Sequence, residues 1–67
     1  MRKIAERIKE LRLERNLSLQ EMSRLTKISK SAISRWENAE SDIASDYLII
    51  LCKFFGVSAD YLLGLED

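Results

Sequence analysis

The chain has 67 residues, 46% hydrophobic and 33% charged, with no proline and two glycines. It is too apolar for disorder and too poor in breakers for a hairpin-rich β domain, and at this length only roughly 60% of the unfolded surface can be buried, in one small core. The net charge of zero conceals a division: residues 1–36 carry ten cations against four anions, and residues 37–67 carry one lysine against seven carboxylates. The expectation is an all-α bundle occupying 1–67 as a single domain, with its first part facing a polyanion.

Five helices are legible in chain order. Ile4, Ile8 and Leu11 recur at i, i+4, i+7 and form the apolar stripe of the first; Asn16 tolerates a left-handed stop. Ser18-Leu19-Gln20-Glu21 is a capping box that opens a short second helix running to about Thr26. Only Lys27, Ile28 and Ser29 separate it from a third helix, capped by Ser29 and running from Lys30 to about Asn38. A turn that short makes the two helices cross steeply, as in a helix-turn-helix. Residues 39–44 lack periodicity and form a loop. A fourth helix begins at Ala44 or Ser45 and ends at Phe55 with Gly56 as its stop; Ser58 caps a fifth that Gly64 ends.

Helical geometry sorts the third helix into two sides. Ala32, Ile33 and Trp36 share one, with Ile28 pointing inward just before them; Lys30, Ser31, Ser34, Arg35 and Asn38 share the other. Lysine and arginine reach guanine O6 and N7, and serine donates or accepts at any base edge. Without a partner, the same pattern is an ordinary solvated face. The fourth helix has two apolar groups: Leu48, Leu51, Cys52 and Phe55, and roughly 110° away Tyr47, Ile50 and Phe54. One small core cannot bury both. With Tyr61, Leu63 and Leu65 the second group is an expected interface, the alternative being that Phe54 packs on Tyr61 within one chain. Cys52 and Trp36 are expected in the core.

One cysteine and no histidine exclude a disulfide framework, a zinc site, a Ser-His-Asp triad and a Cys-His pair within one chain. No metal site, cofactor, small-molecule site or enzymatic activity is expected. The stretch Met1 to Arg15 is charged throughout, unlike a signal peptide. The longest apolar run, Tyr47 to Cys52, is far short of a membrane span. A cytoplasmic location is expected.

Leu11-Arg12, Leu17-Ser18-x-x-Glu21-Met22-Ser23, Ile28-Ser29-x-x-x-Ile33-Ser34-x-Trp36-Glu37-Asn38 and Leu48-x-x-Leu51-Cys52-x-Phe54-Phe55-Gly56-Val57-Ser58-Ala59-Asp60-Tyr61-Leu62-Leu63-Gly64 occur in this order. The combination resembles the lambda-repressor-like, Cro/C1-type helix-turn-helix proteins over nearly the whole chain. The resemblance implies five helices, sequence-specific binding of double-stranded DNA, transcriptional regulation as a repressor, and a homodimer on a near-palindromic operator. It sets the third helix in the major groove, with Lys30, Ser31, Ser34 and Arg35 at base edges. Lys27, Ser29, Asn38 and the N–H groups of Leu19 and Gln20 would hold phosphates, with Arg12 adding a further contact. It also implies a partly buried ion pair between Arg12 and Glu37. The expected dimer face is Tyr47, Ile50, Phe54, Tyr61, Leu63 and Leu65, spacing two recognition helices roughly 34 Å apart.

The chain departs from the family pattern at several places. Leu19 stands where the family often has glutamine, and Lys27 where the turn usually has glycine; a positive φ at Lys27 carries strain of roughly 1 kcal/mol. Asn38-Ala39-Glu40-Ser41-Asp42-Ile43 replaces an Asn-Gly-basic stretch followed by proline. Glu40 and Asp42 therefore repel a phosphate backbone where the family has a cationic clasp. The acidic loop and the surplus apolar residues Ile43, Tyr47, Ile50 and Phe54 keep a second reading open: a protein-interaction module of the same fold, antitoxin-like or antirepressor-like.

Overall fold

The computed structural model describes residues 2–66; Met1 and Asp67, the ends of the expected domain, lie outside them. The described residues form five helices and no strand: α1 (Arg2–Glu14), α2 (Leu19–Thr26), α3 (Lys30–Glu37), α4 (Ser45–Phe55) and α5 (Ala59–Leu63). Three starts are set by serine hydroxyls. Ser18 Oγ accepts from Glu21 N at 3.0 Å while Glu21 Oε1 accepts from Ser18 N at 2.9 Å, the reciprocal pair of a capping box. Ser29 Oγ accepts from Ala32 N at 3.2 Å and Ser58 Oγ from Tyr61 N at 3.0 Å. The first turn of α4 follows Ala44 and has no side-chain cap.

Each helix contributes one fully buried large side chain: Ile8, Met22, Ile33, Leu51 and Leu62. Trp36, Ile28 and Phe55 complete the same cluster. Burying such a side chain stabilises by roughly 1.5–3 kcal/mol, so all five helices depend on one shared interior. Within it α1 packs on α3 and α5, α2 on α3 and α4, and α4 on α5. Cys52, expected in the core, is half-buried at its edge, and Ile43, expected as surplus, packs against it.

The three-residue turn between α2 and α3 closes without glycine. Lys27 is left-handed (φ 62°) and donates its N–H to Ser23 O at 2.8 Å. Ser23 Oγ donates to Ile28 O at 2.5 Å, Thr26 Oγ1 donates to Met22 O at 2.8 Å, and Thr26 Oγ1 accepts from Ile28 N at 3.3 Å. Net contributions of about 1 kcal/mol per hydrogen bond are enough to offset the strain at Lys27. These bonds lock the angle at which α3 leaves α2.

α3 stops by a Schellman closure. Ala39 N bonds Trp36 O at 3.1 Å and Glu40 N bonds Arg35 O at 2.8 Å, which forces Ala39 to a φ of 57°. An L-residue there costs roughly 1–2 kcal/mol, and a glycine would add back some chain entropy to the unfolded state. Ala39→Gly is expected to stabilise the protein by about 0.5–1 kcal/mol and raise Tm by about 4 °C, read by thermal unfolding followed by circular dichroism.

Candidate nucleic-acid interface

The outer side of α3 is built by subtraction. Ile33 and Trp36 are drawn into the core, which leaves Lys30, Ser31 and Arg35 exposed, Ser34 half-buried, and Asn38 exposed at the end of the helix. Lys27 and Ser29 are exposed at its start. The side chains of Lys27, Lys30 and Arg35 have no ion pair or hydrogen bond among the described residues. A long contact of 3.5 Å from Asn38 Nδ2 to Ser34 Oγ is all that ties the polar face together. The result is a cationic, donor-rich helix face with nothing of its own to bind.

Three other cations of the basic half are consumed by the fold, two on α1 and one just past its end. Arg7 stacks on the Tyr61 ring, 4.2 Å from its centroid, and donates to the carbonyls of Tyr61 and Glu66. Arg15 donates to Phe55 O at 2.7 Å and lies over the Phe55 ring, a cation placed at the C-terminal end of α4. Arg12 makes the tightest set. Its Nε and Nη2 donate to the two carboxylate oxygens of Glu37 at 2.7 and 3.0 Å, and Nη1 donates to Leu17 O at 2.8 Å. Hydrogen bonding to Glu37, more than its charge, raises the Arg12 pKa further. Arg12 is 8% exposed: its donors face Glu37 and Leu17, with almost no surface left for the expected phosphate contact.

At the start of α2, Gln20 is exposed while the Leu19 side chain packs against the core, which leaves only its N–H for a ligand. The capping box puts the Glu21 carboxylate at the same helix end. The Ser18 N–H and hydroxyl hold that carboxyl below the usual range, and a carboxylate at that helix end competes with any phosphate there. The acidic loop residues Glu40 and Asp42 are exposed beside the end of α3.

The expected dimer residues do not share one environment. Ile50 and Leu65 are exposed, Phe54 and Leu63 are half-buried against the core, and Ile49, which sequence reasoning passed over, is 53% exposed. Tyr61 lies under Arg7 and serves the fold. Tyr47 lies 5.4 Å from the Trp36 ring, beside α3. Sequence reasoning also missed the Ser23 and Thr26 hydroxyl bonds and the left-handed Ala39. The signal for Ala39 was present: it occupies the place where the family pattern has glycine.

Two short helices joined by a three-residue turn, with the second presenting an unpaired polar face, define a helix-turn-helix. The sequence profile of the family described as Helix-turn-helix matches residues 8–62, and the chain belongs to that family, in its Cro/C1-type branch. It is 36% identical over 64 residues to the antitoxin PezA of Streptococcus pneumoniae serotype 4 (strain ATCC BAA-334 / TIGR4), covering 96% of this chain and 40% of that protein. It is 32% identical over 62 residues to the uncharacterized HTH-type transcriptional regulator YobD of Bacillus subtilis (strain 168), and equally to the HTH-type transcriptional activator BcrR of Enterococcus faecalis. Each of these two matches covers 92% of this chain, with 55% of YobD and 30% of BcrR. The chain thus spans about half or less of the length of these relatives.

Removing one partner of the Arg12–Glu37 pair strands a charge away from water, at a cost of about 3 kcal/mol. Glu37→Ala is expected to lower Tm by more than about 10 °C. Glu40→Ala, which removes an exposed loop charge, should change Tm by no more than about 2 °C. Equal melting temperatures for the two variants would show that Glu37 is merely solvated.

Proposed function

We propose that this chain is a sequence-specific duplex-DNA-binding module of a transcriptional regulator, and not an enzyme. Residues 1–67 act as one domain that reads the major groove with α3. The observation that carries this reading is the unpaired cationic face of α3, Lys30 and Arg35 with Lys27 at the turn, on a chain whose Arg7, Arg12 and Arg15 are engaged in holding it together. Lys30, Ser31, Ser34 and Arg35 meet base edges; Lys27, Ser29, Asn38 and the N–H groups of Leu19 and Gln20 meet phosphates. Membership of the family and the likeness to YobD and BcrR, both named as transcriptional regulators, support it. Repression is the simpler mode, because occupancy of a site overlapping a promoter excludes polymerase without a further contact. A cytoplasmic setting accords with Cys52 as a free thiol. Among the described residues no helix is long and apolar enough to cross a membrane.

The operator is near-palindromic and bound by a homodimer through Ile50, Phe54, Leu63 and Leu65. Exposed Ile50 and Leu65 support this. In sedimentation equilibrium at micromolar protein, Ile50→Glu and Leu63→Glu are expected to shift the parent from dimer to monomer. A parent that remains monomeric at high concentration and on its operator excludes the dimer.

The likeness to the antitoxin PezA supports a second reading, a module of the same fold that binds protein first. A salt-titrated shift assay with random and selected duplexes separates the two, because only DNA binding loses affinity through counterion release. Under the first reading Arg35→Ala relaxes preference at one base position by roughly 1–3 kcal/mol. Lys27→Ala weakens all sequences alike and reduces the salt slope by about one. Both variants binding an identified operator like the parent would mean that another face is used.

A further inference from the structure

A shallow depression runs beside α3 and extends beyond the contacts assigned above, sharing Ser29 and Arg35 with them. Ser29, Arg35 and Trp36 line it from the α3 side, and Ser41, Asp42 and Tyr47 from the loop and α4. Tyr47 is held there by its ring, 5.4 Å from Trp36 and tilted by 52°. Trp36 is a core residue, 5% exposed, whereas Tyr47 is 43% exposed. The phenol oxygen of Tyr47 has no hydrogen-bond partner among the described residues. A ring anchored in this way presents its hydroxyl at little conformational cost, since only two side-chain torsions are involved.

Two further donors border the same depression. Arg35 is unpaired. The first turn of α4 follows Ala44, which caps nothing, so N–H groups at that helix start have no protein side-chain acceptor. Three kinds of donor around one open groove suit an acceptor-rich ligand that passes alongside the recognition helix. The opposing feature is Asp42, which would capture or be neutralised by a lysine in this position. A neutral phenol avoids that capture and still donates to a phosphate oxygen.

We propose that Tyr47 is a DNA-backbone contact, its hydroxyl donating to a phosphate of the strand that crosses the depression between α3 and the start of α4. Its ring, braced on Trp36, sets the seat of α3 against that strand. Tyr47 thereby belongs to the DNA-facing side and not to the dimer face. The inference rests on the DNA-binding reading above and adds to it a contact that the acidic loop made unexpected.

The test compares the parent with Tyr47→Phe, Tyr47→Ala and Asp42→Asn. Each is titrated with a site selected from a random duplex pool and with an unrelated duplex, across a range of salt, and run in sedimentation equilibrium. Tyr47→Phe is expected to bind both duplexes about threefold to tenfold more weakly, with the same base preference, salt slope, Tm and association state as the parent. An unchanged slope is the mark of a lost neutral donor, because no counterion is released by a phenol. Tyr47→Ala should lose more affinity and some Tm, since the brace on Trp36 goes as well. Asp42→Asn should bind more tightly. Tyr47→Phe binding like the parent, or either Tyr47 variant shifting the association state, would overturn the proposal while leaving the DNA-binding reading intact. A parent without salt-dependent binding to any duplex would overturn both.

Discussion

The bidentate pair between Arg12 and Glu37 is the constraint on which the rest of the structure depends. Arg12 sits in the last turn of α1 and Glu37 ends α3, so the pair ties the first helix to the end of the recognition helix. The same guanidinium donates to Leu17 O, while Leu17 N returns a bond of 3.1 Å to Arg12 O. Leu17 precedes the Ser18 cap of α2. One side chain thus fixes the end of α1, the start of α2 and the end of α3. A buried pair of this kind adds little net stability when intact, because desolvation offsets much of the attraction. Its value is directional: a carboxylate fork accepts an arginine in one plane, and apolar packing alone imposes no such orientation.

Around that pair the chain divides its cations by task. Arg7 and Arg12 on α1 and Arg15 just past its end each reach a different helix, α5, α3 and α4 in turn. All three are arginines, whose planar head combines hydrogen bonding with stacking on Tyr61 and Phe55 in two of the cases. Lys27, Lys30 and Arg35 are left without partners around α3. The positive surplus of the first 36 residues is therefore smaller, as seen by a ligand, than the sequence count implies. A focused patch suits a partner that meets one helix, as a duplex groove does.

The acidic loop and α4 shape the other side of the interface. Glu40 and Asp42 are exposed beside the end of α3 and would oppose a phosphate backbone, which under the proposed reading puts more of the binding on α3 itself and on neutral donors. Tyr47 links the two regions, since it stands on α4 and rests on Trp36 of α3. Ile49 and Ile50 lie further round α4 and remain exposed, a surface suited to association and distinct from the ring that faces the recognition helix.

The helices, their order and most of their ends were legible in the sequence because the signals for them act within one turn. Ser18 with Glu21, Ser29 and Ser58 cap the residues three positions on, and Gly56 and Gly64 release the chain at a left-handed position. The inward side of each helix was legible from period, and the face of α3 followed from it. Tertiary structure alone decided the partners. A helical wheel states the direction in which Tyr47, Tyr61 or Arg15 leaves its own axis, but not which helix is met there. So Tyr61 meets Arg7 and Tyr47 meets Trp36, neighbours that the pattern did not name. Ala39 became left-handed because Arg35 O and Trp36 O were placed to close the end of α3, a demand made by the closure and not by the residue. Arg12 lost its surface through packing: burial is a property of what packs over a side chain, and that is settled only when all five helices share one core.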